Sequence, residues 1–295
     1  MRGAASVAKA TALEILSEPL TLLVLLAALV MAVLAPAFHY HQFGEATRMA
    51  RDAGFSALFT CGSVVAVFGT IRAFRREIES GTVQMALSHP VSRGGFFIAK
   101  ALGSFAAYLV FATTVFFTSL VIVEGARVGG AVAERTGDIA RIGGPFLAAG
   151  VAVLLLPLLF GAALNRFGRG RFVLSSMSAA FFLSLLAGAA SAALDRELLP
   201  RYLPVAVLLL PPALVLLAAS AAFAVRFRAN AAAAAVGVIA ATGLPAVGNY
   251  YMSDALSRGG SVPWGYVAVA SLAAVPAVLA FALLGIRFIG GRDVS

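Results

Sequence analysis

Lysine occurs twice in this chain, at Lys9 and Lys100, against twenty arginines, and cysteine only once, at Cys61. A lone cysteine excludes an intramolecular disulfide framework and any cysteine-built metal site. Charge of either sign is scarce, at 12% of 295 residues, while 61% are hydrophobic and the mean hydropathy is +0.96. That balance excludes an ordinary soluble domain and implies an integral membrane protein. Catalytic signatures are missing as well. No G-x-x-x-x-G-K-[ST] phosphate loop, H-E-x-x-H, G-x-S-x-G or Asp-rich pyrophosphate motif is present, so no enzymatic activity is expected. The nearest decoy, Gly94 to Ala101, lacks the second glycine and the hydroxyl after Lys100, and reads as a helix entry.

The net charge of +9 does not point to nucleic acid, because a basic soluble domain gathers its charge on one solvated face, whereas here short charged patches punctuate apolar runs. Eight charge-free windows result: Pro19 to Gly44, Ala53 to Ile71, Ala101 to Val123, Ile142 to Asn165, Phe172 to Leu194, Tyr202 to Val225, Ala229 to Ser253 and Gly259 to Ile286. A charge at the bilayer centre costs about 2.5–3.5 kcal/mol, and about 20 residues of helix span the hydrocarbon. The expectation is an all-α, polytopic membrane protein of about eight helices, one transmembrane domain over residues 1–295. Treating Tyr202 to Ser253 as a re-entrant hairpin would leave six spans, but would sink Arg226 and Arg228 to membrane depth. Pro211 and Pro212 predict a kink or break there.

Alternate connections differ sharply in charge. One set carries 14 basic and 5 acidic residues, the other 8 of each, so the whole net charge lies on one face. The positive-inside rule makes that face cytoplasmic, with both termini. Arginine over lysine and abundant alanine point to a GC-rich genome and so to a bacterial inner membrane. Residues 1–18 read as an interfacial amphipathic helix, in which Leu13, Leu16 and Leu20 share a face with the stem of Lys9 while Thr11, Glu14 and Glu18 lie opposite. Although Ala35-Pro36-Ala37 resembles a signal cleavage site, the apolar core is too long for a signal peptide.

Between the second and third windows lies a polar island, Arg72 to Arg93, far longer than a plain turn requires. Glu77 and Glu79 prolong the second helix, Gly81 weakens it, and Ser80 or Thr82 caps a short helix running to about Ser88. His89 before Pro90 ends that helix, Ser92 caps the third span, and Lys100 snorkels to the interface. By its physics alone the island is either a docking surface or a solvated turn obeying the positive-inside rule. Arg75, Arg76 and Arg93 also suit anionic lipid heads.

The run EIESGTVQMALSHPVSRGGFFIAKALG resembles the signature of the ATP-binding-cassette type-2 permease family, matching it at Glu79, Gly81, Thr82, Leu87, Ser88, Pro90, Val91, Ser92, Arg93, Lys100, Leu102 and Gly103. His89 stands where that family often has Lys or Arg, and Ala99 replaces the glycine usual before the lysine. The resemblance implies a six-span core with an extra helix pair, and a coupling segment at residues 72–93. In it, Glu77, Glu79, Gly81, Thr82, Met85, Leu87, His89, Pro90, Ser92 and Arg93 would meet a separate ATP-binding subunit that carries ATP and Mg. This chain would need no cofactor of its own, would pair with a second permease copy or paralogue among membrane lipids, and would export a hydrophobic or amphiphilic substrate.

Other chemistry is sparse. His39, His41 and Glu45 form a weak metal pattern, and Glu124, Glu134, Asp138, Asp195, Glu197 and Asp254 read as solvated loop carboxylates. The windows hold no Asp, Glu, Lys or Arg, which disfavours the alternative of an ion-coupled secondary transporter, a non-transporting scaffold being the third reading. Gly150, Gly161 and Gly188 offer close helix approach, and Phe116, Phe117, Phe181 and Phe182 are core, lipid-facing or path-lining candidates.

Overall fold

The computed structural model describes residues 2–34, 46–79, 92–136, 140–168, 171–237 and 261–290, and every regular element among them is helical. The elements are α1 (Arg2–Leu16), α2 (Pro19–Leu34), α3 (Ala46–Val64), a π-helical turn (Val65–Gly69), α4 (Thr70–Glu79), α5 (Arg93–Thr136), α6 (Ala140–Gly168), α7 (Phe172–Leu194), α8 (Leu198–Leu208), α9 (Leu210–Arg226), α10 (residues 229–237) and α11 (Trp264–Gly290).

Five helical stretches are long and apolar enough to cross a bilayer, Thr47–Glu79, Arg93–Gly129, Phe172–Leu194, Leu198–Arg226 and Trp264–Gly290. Counting α1 and α2 as one broken span makes six. These establish a multi-pass membrane protein. The fourth expected window lies wholly within α6, whose stretch Ala152–Arg166 is apolar, and most of the seventh lies outside the described residues. The break expected at Pro211 and Pro212 is present. Leu209 forms a turn, and α9 restarts with proline in its first positions, where the missing amide would have no helical partner.

The chain divides into two compact units. The first comprises Met1–Ile15, Ser63–Leu109 and Val207–Ser295. Its core joins Val67, Ile71 and Phe74 to Phe96 and Phe97, and both groups to the buried side of α9 and to Ile289. α9 packs on α4 and α11, and its buried row of Ala218, Ala219, Ala221, Ala222 and Ala224 permits close approach, the usual device of helices associating in lipid. Gly285 of α11 serves the same end, since any β-carbon there would strike the Phe97 ring. In α1, Thr11 and Ile15 are buried while Leu13 is exposed. The packed side therefore includes a residue expected on the polar face, and Leu13 points outward.

The second unit comprises Leu16–Gly62 and Val110–Ala206. α6 packs on α7, and α2 on both. Phe55 of α3 lies between Phe116 and Tyr202, with ring centroids 6.4 Å and 6.0 Å away. Phe116 is thus a core residue, while Phe182 is exposed. Gly161 sits against Ser176 and the Phe172 carbonyl, and Gly188 against Phe117, as expected of glycines at helix crossings. A β-carbon at position 188 would lie 2.9 Å from the Phe117 carbonyl oxygen, a backbone atom that cannot swing aside. Gly188→Ala is therefore expected to cost about 1–2 kcal/mol, read as a lowered unfolding midpoint in detergent.

α5 runs on through Thr136, so Glu124 is a helical, buried residue and not a loop carboxylate. Its oxygens accept from Arg127 at 2.6 Å and 2.8 Å, and Arg127 also stands 3.8 Å from Asp195. An i,i+3 pair of this kind lets a helix carry charge past the last apolar turn.

Candidate functional site

The two helices that bracket the polar island are well defined at the island end. α4 continues to Glu79, as expected, and α5 begins at Arg93 with Ser92 as its cap, whose Oγ accepts the Gly95 amide at 3.1 Å. The Phe96 amide donates to the Ser92 carbonyl at 2.9 Å, which closes the first turn. Gly81, Thr82, Met85, Leu87, His89 and Pro90, with the short helix expected around them, lie outside the described residues.

Four polar contacts tie these bracketing helices into the first unit. Arg75 donates to Glu79 Oε1 through Nη2 at 2.6 Å and Nε at 3.2 Å, and through Nη1 to the Phe227 carbonyl at 3.3 Å. Phe227 caps the C-terminus of α9. Arg93 donates to the Gly290 carbonyl, the last residue of α11, at 3.2 Å. Both arginines therefore stand where a helix presents unsatisfied carbonyls and the negative end of its dipole. Arg76 donates to Glu14 of α1 at 3.2 Å.

The fourth contact was not expected. Lys100 does not snorkel to an interface; its side chain is 0% exposed, with Nζ 2.7 Å from Glu77 Oε1. Nζ also stands 5.7 Å from the ring centroids of both Phe74 and Phe96. A carboxylate and two aromatic faces replace the water that snorkelling would have supplied. The lipid reading of the arginines narrows in turn. Arg75 and Arg93 are engaged with the chain's own acceptors, whereas Arg76 keeps a side chain 69% exposed.

The sequence did hold a faint signal for this pair. In a chain that uses arginine almost everywhere, a lysine immediately precedes one apolar window, while a glutamate stands in the island shortly after the window before it. The π-helical turn, by contrast, falls in VAVFG, which carries no mark of it. Among the described residues no group of three or more His, Cys, Asp or Glu is placed to hold a metal, and His39, His41 and Glu45 fall outside them.

No curated protein and no solved structure gives a significant match to the chain. Residues 27–253, most of the sequence and the whole island included, match the family described as ABC-2 family transporter protein. Multiple apolar helices and that match together make the chain a membrane permease, and it belongs to the ABC-2 transporter family.

Proposed function

We propose that this chain is the transmembrane subunit of an ATP-driven exporter in a bacterial inner membrane. In this reading it works as a dimer of permeases, identical or paralogous, and moves a hydrophobic or amphiphilic substrate. Residues 72–93 face the cytoplasm, as do both termini, and dock a separate ATP-binding subunit. ATP and Mg belong to that partner, and the permease contributes motion. The observation that carries this reading is the anchorage of α4 and α5. The helices flanking the island are fastened at its own end to α1, α9 and α11, so displacement of the island is passed to a five-helix body.

Co-purification with ATP-binding subunits co-expressed from the same genome tests it. Pro90→Gly and Glu79→Ala are expected to reduce the captured partner about tenfold, while Arg201→Ala, outside the island, leaves it unchanged. A permease that moves solute without any ATPase partner would refute the proposal. One observation favours the ion-coupled alternative, because the Glu77–Lys100 pair places ionisable groups within a spanning stretch. Reconstituted vesicles separate the two, since transport would then follow an imposed proton gradient with no ATP present.

A further inference from the structure

We infer that the Glu77–Lys100 pair sets the register of α4 against α5, so that the two arms of the island move as one body. The inference extends the proposed coupling role, although its physical half stands without a partner subunit. An apolar pair would fill this site equally well, and buried ion pairs replaced by hydrophobic residues are often no less stable. What the charges add is a single position in which ammonium and carboxylate meet, Nζ standing 2.7 Å from Oε1. Sliding α4 by one turn, about 5.4 Å, would carry Glu77 out of reach of Nζ and leave the ammonium between Phe74 and Phe96 without a carboxylate. Two leucines would tolerate that slip.

The neighbouring contacts are too soft for the task. Glu79 is 63% exposed in its pair with Arg75, and Arg76 is mostly exposed in its pair with Glu14. Exposed pairs of this kind add little rigidity, being solvated and screened. The lysine's own surroundings are stiff. Phe74 meets Phe97 at 5.3 Å between centroids, and Phe97 in turn fills the space left by Gly285 on α11. Force arriving between residues 80 and 91 thus reaches a keyed joint, within one turn on α4 and after about two and a half turns on α5, where it moves both helices instead of shearing one along the other.

Distances between spin labels decide the matter in the full chain, in nanodiscs, without any partner. Labels on Phe68→Cys and Ile98→Cys, both exposed positions, in a Cys61→Ala background report the spacing of the two arms. The parent is expected to give one narrow distribution. The double variant Glu77→Gln with Lys100→Met, which buries no charge, is expected to remain folded and to broaden it about twofold. Equal widths in the two would overturn the inference.

A second measurement, with the ATP-binding subunit bound and trapped by ADP and vanadate, reads the motion itself. The parent is expected to keep the Phe68–Ile98 distance on trapping, and the double variant to change it by more than its resting width. A parent whose arms separate would also overturn the inference. Should no ATP-binding subunit bind the parent, the coupling reading falls, and the resting widths still decide the register.

Discussion

Glu77→Ala is expected to destabilise the chain by about 3–5 kcal/mol, whereas Lys100→Met should cost less than about half of that. The asymmetry follows from exposure. Lys100 is 0% exposed and Glu77 is 28% exposed, so removing the carboxylate leaves an ammonium that water cannot reach. Only the faces of Phe74 and Phe96 then remain to it, and a desolvated cation–π contact returns about 2 kcal/mol, less than the several kcal/mol that burying the ammonium costs. Removing the ammonium leaves a carboxylate that can still turn to solvent, while methionine keeps most of the lysine stem's packing. Chemical unfolding in detergent, followed by tryptophan fluorescence or helicity, measures both. A larger loss from Lys100→Met than from Glu77→Ala would mean that Lys100 reaches water and that the joint is open.

That pair also marks the boundary of what the sequence could reveal. Charge-free windows find spans because lipid penalises a lone charge, and five of the eight windows coincide with the five long apolar stretches among the described residues. The same rule ends each window at its first charge. It therefore cut α5 short at Val123, although Glu124 and Arg127 neutralise each other within the helix and let it continue to Thr136. It likewise treated Lys100 as a border residue, because a single sequence shows one partner at a time.

Local signals fared better, since they depend on a few adjacent atoms. Ser92 caps α5, and Pro211 and Pro212 sit where a helix restarts after Leu209. Gly161 and Gly188 lie at helix crossings. None of these needs knowledge of a distant neighbour. The π-helical turn at Val65–Gly69 had no such local mark, being set by what packs around it: α4 and α9 contact it, and Gly69 lies against Ile15 of α1.

The amphipathic reading of α1 went astray for a different reason. In water an apolar face turns inward, but inside a bilayer lipid accepts leucine as readily as a protein core does. Inward faces then select for small and weakly polar side chains. Thr11, assigned to the polar face, is buried with its hydroxyl satisfied by the Val7 carbonyl at 3.0 Å, while Leu13 is exposed. Glu14, from the same polar face, meets Arg76 of α4. The side of α1 that resembles a solvated surface thus also binds the protein, with Ile15 and Leu16 buried beside it.

The same packing makes Gly103→Leu the second large effect. Gly103 of α5 lies directly beneath α1, where a β-carbon would strike the Ala8 carbonyl oxygen and come within 2.8 Å of Thr11 Cβ. A carbonyl inside a helix cannot rotate away without breaking its own backbone bond, so α1 must move as a whole. That movement strips the Ile15 side chain from Gly69, and it draws Glu14 away from Arg76. Gly103→Leu is expected to cost about 3 kcal/mol, at the upper end for overpacking, with Gly103→Ala nearer 1 kcal/mol. Gly265→Leu supplies the control, because a β-carbon there meets nothing within 4 Å. Proteolysis near Thr11 reads the result directly: cleavage should accelerate in Gly103→Leu and stay at the parental rate in Gly265→Leu. Were Gly103→Leu to keep both the parental unfolding midpoint and the protection of Thr11, α1 would not be seated on α5, and the island's anchorage would rest on α9 and α11 alone.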